Sequence, residues 1–217
     1  MKYILIHGIG DHQEGWSNAE FVADILEVPS ENVLEFYYED LMEADRKNKI
    51  LKFIGRLAAK YYGGPLAALA AGKVQDFIND VVVYFFSSKT RRAIQKRLDS
   101  FLKLHGKGEG VCIIAHSLGS VVAYETLKNR DWLSKVNPKL ITLGSPLSKK
   151  LVIRMLDVDL SIPIGVTEWV NIFNRFDPIG GKVALECDKN IGFTAKEPNP
   201  HDFDMYIQKI KENNVHT

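Results

Sequence analysis

Val111-Cys112-Ile113-Ile114-Ala115-His116-Ser117-Leu118-Gly119-Ser120-Val121-Val122 is the stretch on which the reading of the fold turns. Val111 to Ile114 is a continuous apolar run, as a strand buried on both faces requires. Leu118, Val121, Val122 and Leu127 then recur at helical spacing, so the hydrophobic period switches across Ala115 to Gly119. A strand therefore passes through one sharp turn into a helix, with Ser117 on the turn. Ala115 and Gly119, two residues to either side, supply clearance where such a turn brings neighbouring backbone very close. Ser117 would then present its hydroxyl at a helix N-terminus, where unpaired N–H groups and the helix dipole favour developing negative charge.

The pentapeptide is the small-x-Ser-x-Gly pattern of a nucleophile elbow, with alanine for the first glycine. A structural turn would read the same way, and its position at a strand-to-helix switch is what favours the elbow. Upstream, Tyr3 to Ile6 forms another apolar run closed by His7-Gly8-Ile9-Gly10, a buried parallel strand ending in a glycine-rich loop. Such loops at the carboxyl ends of strands are where open α/β sheets build their sites. Ala19 to Leu26 reads as a short amphipathic helix, Pro29 to Asn32 breaks it, and Val33 to Tyr38 reads as the second strand. Downstream, Lys139 to Leu143, Trp169 to Phe173 and Ile191 to Thr194 are expected strands, and Phe203 to Ile210 a final helix. The alternation predicts a mostly parallel sheet of about six strands with helices on both faces.

Between the second and third strands, residues from about 41 to 105 read as a mainly helical insertion or crossover, broken most clearly at Gly63-Gly64-Pro65. Leu66 to Ala71 and Phe77 to Phe86 are strongly apolar, but neither reaches the roughly 18 to 20 residues that span a bilayer. One reading packs these helices on the sheet; the sharper one makes them a mobile lid that binds acyl chains or touches a membrane surface peripherally. Lys89, Arg91, Arg92, Lys96 and Arg97 beside them read as a solvated helix face.

With 217 residues and 46% hydrophobic content, one domain over residues 1 to 217 is expected. Its 28 Lys plus Arg nearly balance 27 Asp plus Glu, so no basic field points to nucleic acid. Cys112 and Cys187 have neither metal-ligand nor disulfide spacing and read as free thiols of a reducing, cytoplasmic compartment. The start at Met1 enters a strand at once and is not read as a signal peptide. No metal or organic cofactor is called for, and nothing in the chain sets an oligomeric state.

A serine hydroxyl is a weak nucleophile and needs a base, a carboxylate to orient that base, and oxyanion donors. Ser117 is the candidate nucleophile, Asp177 the acid just past a strand end in Asn174-Arg175-Phe176-Asp177-Pro178, and His201 the base. The order serine, acid, histidine is that of the α/β-hydrolase arrangement. The oxyanion donors are expected to be the Leu118 N–H and one N–H from the first loop, Ile9 with Gly10 as the competing choice. His7, Gly8 and His116 are assigned to site shaping or substrate contact, and His12 to the same loop. Asp157 and Asp159 are rival acids, Asp202 and Asp204 lie too near His201 in the chain, and Glu168 is a supporting candidate by proximity in sequence alone.

Taken together, these residues resemble the α/β-hydrolase superfamily, within it the lipase and esterase-like branch. The pieces are His7-Gly8-Ile9-Gly10 with Trp16, Ala115 to Ser120, Leu143-Gly144-Ser145-Pro146, Trp169-Val170-Asn171 leading to Asp177-Pro178, and His201. The resemblance implies an α/β-hydrolase fold shortened by its first strands, and a serine hydrolase acting on a small-molecule or lipid carboxylic ester. Acyl transfer or amide cleavage on the same residues, and a binding module that keeps the fold without catalysis, stand as the alternatives.

Overall fold

The computed structural model describes residues 1–8, 13, 15–46, 81, 83–106, 110–128, 136–156, 160–183 and 187–216. Six strands, β1 (Lys2–Ile6), β2 (Val33–Phe36), β3 (Val111–His116), β4 (Lys139–Leu143), β5 (Glu168–Asn174) and β6 (Lys189–Phe193), form one sheet in the order β2-β1-β3-β4-β5-β6. Every pairing is parallel, so the α/β class expected from the alternating pattern is the class observed.

Helices cover both faces. α1 (Ala19–Leu26) and α6 (Phe203–Glu212) lie on one; α2 (Glu39–Arg46), α3 (Ser88–His105), α4 (Leu118–Leu127) and α5 (Lys150–Leu156) take the other. Strand side chains alternate between these layers. Ile4, Ile6, Ile113 and Ala115 pack with Ile94, Leu98 and Leu102 of α3, whereas Tyr3, Leu5, Cys112 and Ile114 pack with Val22 and Leu26 of α1 and Ile207 of α6. Both sets are buried, which is why these strands read as unbroken apolar runs.

α2 and α3 are described helices between β2 and β3. α3 is capped by Ser87, whose hydroxyl accepts from Thr90 N, and buries Thr90, Ile94, Leu98 and Leu102, one stripe at four-residue spacing. Its basic residues are partly paired: Arg91 with Glu125 and Arg97 with Asp40, the latter exposed on both sides. The Gly63-Gly64-Pro65 break and the Leu66 to Ala71 run lie outside the described residues; of Phe77 to Phe86, Val81, Val83 and Tyr84 are buried and Phe86 is exposed. No described helix is long and apolar enough to cross a membrane.

Several bounds differ from expectation. β2 stops at Phe36 because Tyr37 and Tyr38 turn into α2, and β6 begins at Lys189, two residues early. α5, which the periodicity did not announce, follows a 3₁₀ turn at Pro146–Ser148. Cys112 and Cys187 are both free thiols; complete burial pushes Cys112 up to about 12.

Candidate active site

The chain leaves β1 toward β2 on one side and returns to β3 on the other, so the sheet's switch point lies at the carboxyl ends of β1 and β3. The register aligns Ile6 with Ala115, His116 with Leu143 and Leu143 with Ile172, which puts four strand exits side by side. His7-Gly8, Ser117, Gly144 and Asp177 occupy those exits.

Ser117 turns the chain between β3 and α4 with φ 53° and ψ −128°, a backbone that costs a non-glycine residue about 1–3 kcal/mol. Several contacts hold it. Its N–H donates to Leu143 O at 2.9 Å, and its carbonyl accepts from Ser120 N and from Ser120 Oγ at 2.6 Å. Since the Ser120 hydroxyl proton is committed there, Ser145 donates to Ser120 Oγ at 2.7 Å, tying the β4 exit to the turn. A Cβ on Gly119 would fall on the His7 carbonyl and one on Gly8 against the Ser117 side chain, so the turn packs directly on the end of β1. Ser117 thus stands at a turn from a buried parallel strand into a helix, the context expected for it from the change of hydrophobic period.

Asp177 and His201 meet from different segments: His201 Nδ1 donates to Asp177 Oδ2 at 2.6 Å. Tyr206 OH donates to the same oxygen at 2.6 Å, and Ile179 N donates to Oδ1 at 2.8 Å. Burial alone would raise the Asp177 carboxyl, but the His201 hydrogen bond and charge, with the bonds from Tyr206 and the Gly180 backbone, overcome it and hold the group below its ordinary value. Because Nδ1 carries the donated hydrogen, neutral His201 has Nε2 free as an acceptor. His201 Nε2 and Ser117 Oγ are buried and bonded neither to each other nor to any other described residue. Gly144, at φ 54°, leaves room for both partners: a Cβ there would lie 2.8 Å from His201 Cε1 and 2.9 Å from Asp177 Oδ2.

The other histidines take supporting places. His116 Nε2 donates to the His201 carbonyl at 3.1 Å, and the rings lie 4.5 Å apart. His7 is fully buried; its Nδ1 donates to Gly8 O at 2.8 Å, its Nε2 accepts from Tyr38 N, and its ring stacks on Tyr38 at 4.1 Å. It therefore shapes the loop from inside. Trp16 sits edge-on between His7 and Phe203. Leu118 is the first residue of α4, so its N–H has no intrahelical acceptor. Ile9, Gly10 and His12 lie outside the described residues, as do Asp157 and Asp159.

Asp202 stands at the N-cap position of α6 without a capping side-chain bond and accepts from Asn199, and Asp204 lies in the first turn of α6; neither side chain bonds to the His201 ring. Glu168 is corrected: it opens β5 and pairs with Lys139, at the opposite end of the strand from Asp177. Sequence reasoning quoted Ser145 and Asn174 within their stretches but gave them no role, and it did not single out Tyr206 or Lys149. Lys149 Nζ donates to Gly180 O at 3.1 Å; burial lowers its ammonium, and the Asp177 charge partly restores it. Among the described residues no cluster of three or more His, Cys, Asp or Glu is placed to hold a metal ion.

No family model matches the chain, and no curated protein matches it. Among solved structures, an iodinated complex of acetyl xylan esterase aligns over 99% of this chain and 93% of its own, with 10% identity and a TM-score of 0.37.

Proposed function

We propose that this protein is a serine hydrolase that cleaves a carboxylic ester through an acyl-enzyme. The observation that carries the reading is the Asp177–His201 hydrogen bond at the same sheet edge as a serine held in a strained turn. Asp177 fixes the imidazole with Nε2 as its free nitrogen. That nitrogen takes the Ser117 proton as Oγ attacks the ester carbonyl, and the carbonyl electron pair moves onto oxygen. The Leu118 N–H, at the start of α4, stabilises the oxyanion together with an N–H from the first loop, where Ile9 and Gly10 are the candidates.

Collapse of the tetrahedral species breaks the ester bond, and imidazolium His201 gives its proton to the leaving alkoxide. Water then repeats the sequence: His201 removes its proton, hydroxide attacks the acyl carbonyl, and the Ser117 oxygen leaves with the proton returned. The buried, unpartnered Ser117 Oγ and His201 Nε2 are the two atoms this proton transfer joins. Hydrolysis of short-chain p-nitrophenyl esters tests the reading. Turnover is expected to fall roughly 1000-fold or more in Ser117→Ala and in His201→Ala. Equal rates in the wild type and Ser117→Ala would overturn it.

A further inference from the structure

Asn174, the last residue of β5, is 1% exposed, and its side-chain amide has every hydrogen-bonding position filled. Oδ1 accepts from Phe176 N at 3.2 Å and from Ala195 N at 3.1 Å. Nδ2 donates to Ala195 O at 2.9 Å and to Pro200 O at 3.1 Å. The partners fix the orientation of the amide, because a flipped group would set N–H against N–H and oxygen against carbonyl oxygen. Its backbone joins the same set: Asn174 N donates to Tyr206 OH at 3.1 Å, and Asn174 O accepts from Asp177 N at 3.1 Å.

These contacts fall on both halves of the Asp177–His201 pair. Phe176 N and Asp177 N belong to the turn that delivers the carboxylate. The Pro200 carbonyl belongs to the peptide that continues into His201. Between β6 and α6 the Pro200–His201 peptide lies in a turn closed by Asp202 N on Asn199 O at 3.2 Å, and its carbonyls are tied to the rest of the site by side chains, Asn174 on Pro200 O and His116 on His201 O. One planar group that donates and accepts in the same place thus bonds to both the acid turn and the base loop.

We infer that Asn174 is a positioning residue of this site, one that aligns His201 with Asp177 by clamping the acid turn and the base loop with a single amide. The inference rests on the proposed Ser117 hydrolase. An aspartate there keeps the acceptors toward Phe176 and Ala195 but loses both donors and opposes the Ala195 and Pro200 carbonyls, so it releases the base loop while retaining the acid turn. An alanine releases both.

The experiment compares wild type, Asn174→Ala and Asn174→Asp in p-nitrophenyl ester kinetics, thermal unfolding, and the downfield proton spectrum in which the His201 Nδ1–H bonded to Asp177 resonates. A misplacement of this kind predicts kcat lowered roughly 100-fold in Asn174→Ala and at least about tenfold in Asn174→Asp, with KM within about twofold. The Nδ1–H resonance is expected to broaden or vanish in both while cooperative unfolding persists. Wild-type turnover with kcat and the resonance unchanged in the folded variants would overturn the positioning role and leave the hydrolase reading standing. Loss of the folded state in both variants would also overturn it, making Asn174 a staple of the scaffold. Absence of Ser117-dependent turnover in the wild type would overturn the hydrolase reading, and the inference with it.

Discussion

Asp177 is a buried acid with both carboxylate oxygens hydrogen-bonded. Its carboxylate is buried, yet it accepts from His201, Tyr206 and Ile179, and the balance favours the charged form. A carboxyl whose folded value lies below its unfolded value of about 3.9 contributes stability that is full above that pH and is lost as pH falls through the folded value. The stability advantage of wild type over Asp177→Asn is therefore expected to hold from pH 7 to about 4 and to shrink below it, as urea unfolding across that range would record; a gap that widened toward acid would contradict the assignment. Tyr206 shares the burden, and burial beside Asp177 raises its phenol far above the ordinary value, so it stays a donor. Tyr206→Phe removes one hydrogen bond to a buried charge and is expected to cost on the order of 1–3 kcal/mol of unfolding free energy. Ester turnover should fall about tenfold in the same variant, in keeping with a loss of that size.

The elements set the spacing these residues need. β3 and α4 meet at a turn whose tightness depends on α4 lying against the end of β1, where an added Cβ at Gly119 would strike the His7 carbonyl. Gly119→Ala is expected to lose about 1–3 kcal/mol, read as a lower urea midpoint, and to slow reaction at Ser117 because α4 must move. α3 provides the contrast. Leu98 is fully buried between Ile94 and Leu102 on the stripe of α3 and has no polar atom in its side chain, so Leu98→Ala should lose roughly 2–5 kcal/mol while the folded fraction keeps its reactivity at Ser117. Equal effects on reactivity from both substitutions would separate the turn from the chemistry and contradict the arrangement described.

Across the whole molecule, what the sequence revealed and what it hid follow from how each part is packed. Parallel strands covered on both faces leave long apolar runs, so Tyr3 to Ile6, Val111 to Ile114 and Lys139 to Leu143 announced themselves, and the serine turn stood out where the period changed. Tyr206 did not. It lies on the apolar face of α6 among Ile207 and Ile210, where a buried tyrosine reads as core until its hydroxyl is seen on Asp177. Asn174 precedes Asp177 by three residues and nothing local marks it out, because its second set of partners, Ala195 and Pro200, is supplied by a distant segment. Glu168 was misjudged because a seven-residue strand carries its two ends to opposite edges of the sheet. Asp177 and His201, 24 residues apart in the chain, come from two segments that only the folded sheet brings into hydrogen bond. The most direct measurement is labelling with a fluorophosphonate followed by mass spectrometry of the intact protein and its peptides. The account predicts one adduct, on Ser117, absent in Ser117→Ala and strongly reduced in His201→Ala; folded wild-type protein that takes up no adduct, or takes it up elsewhere, would contradict it.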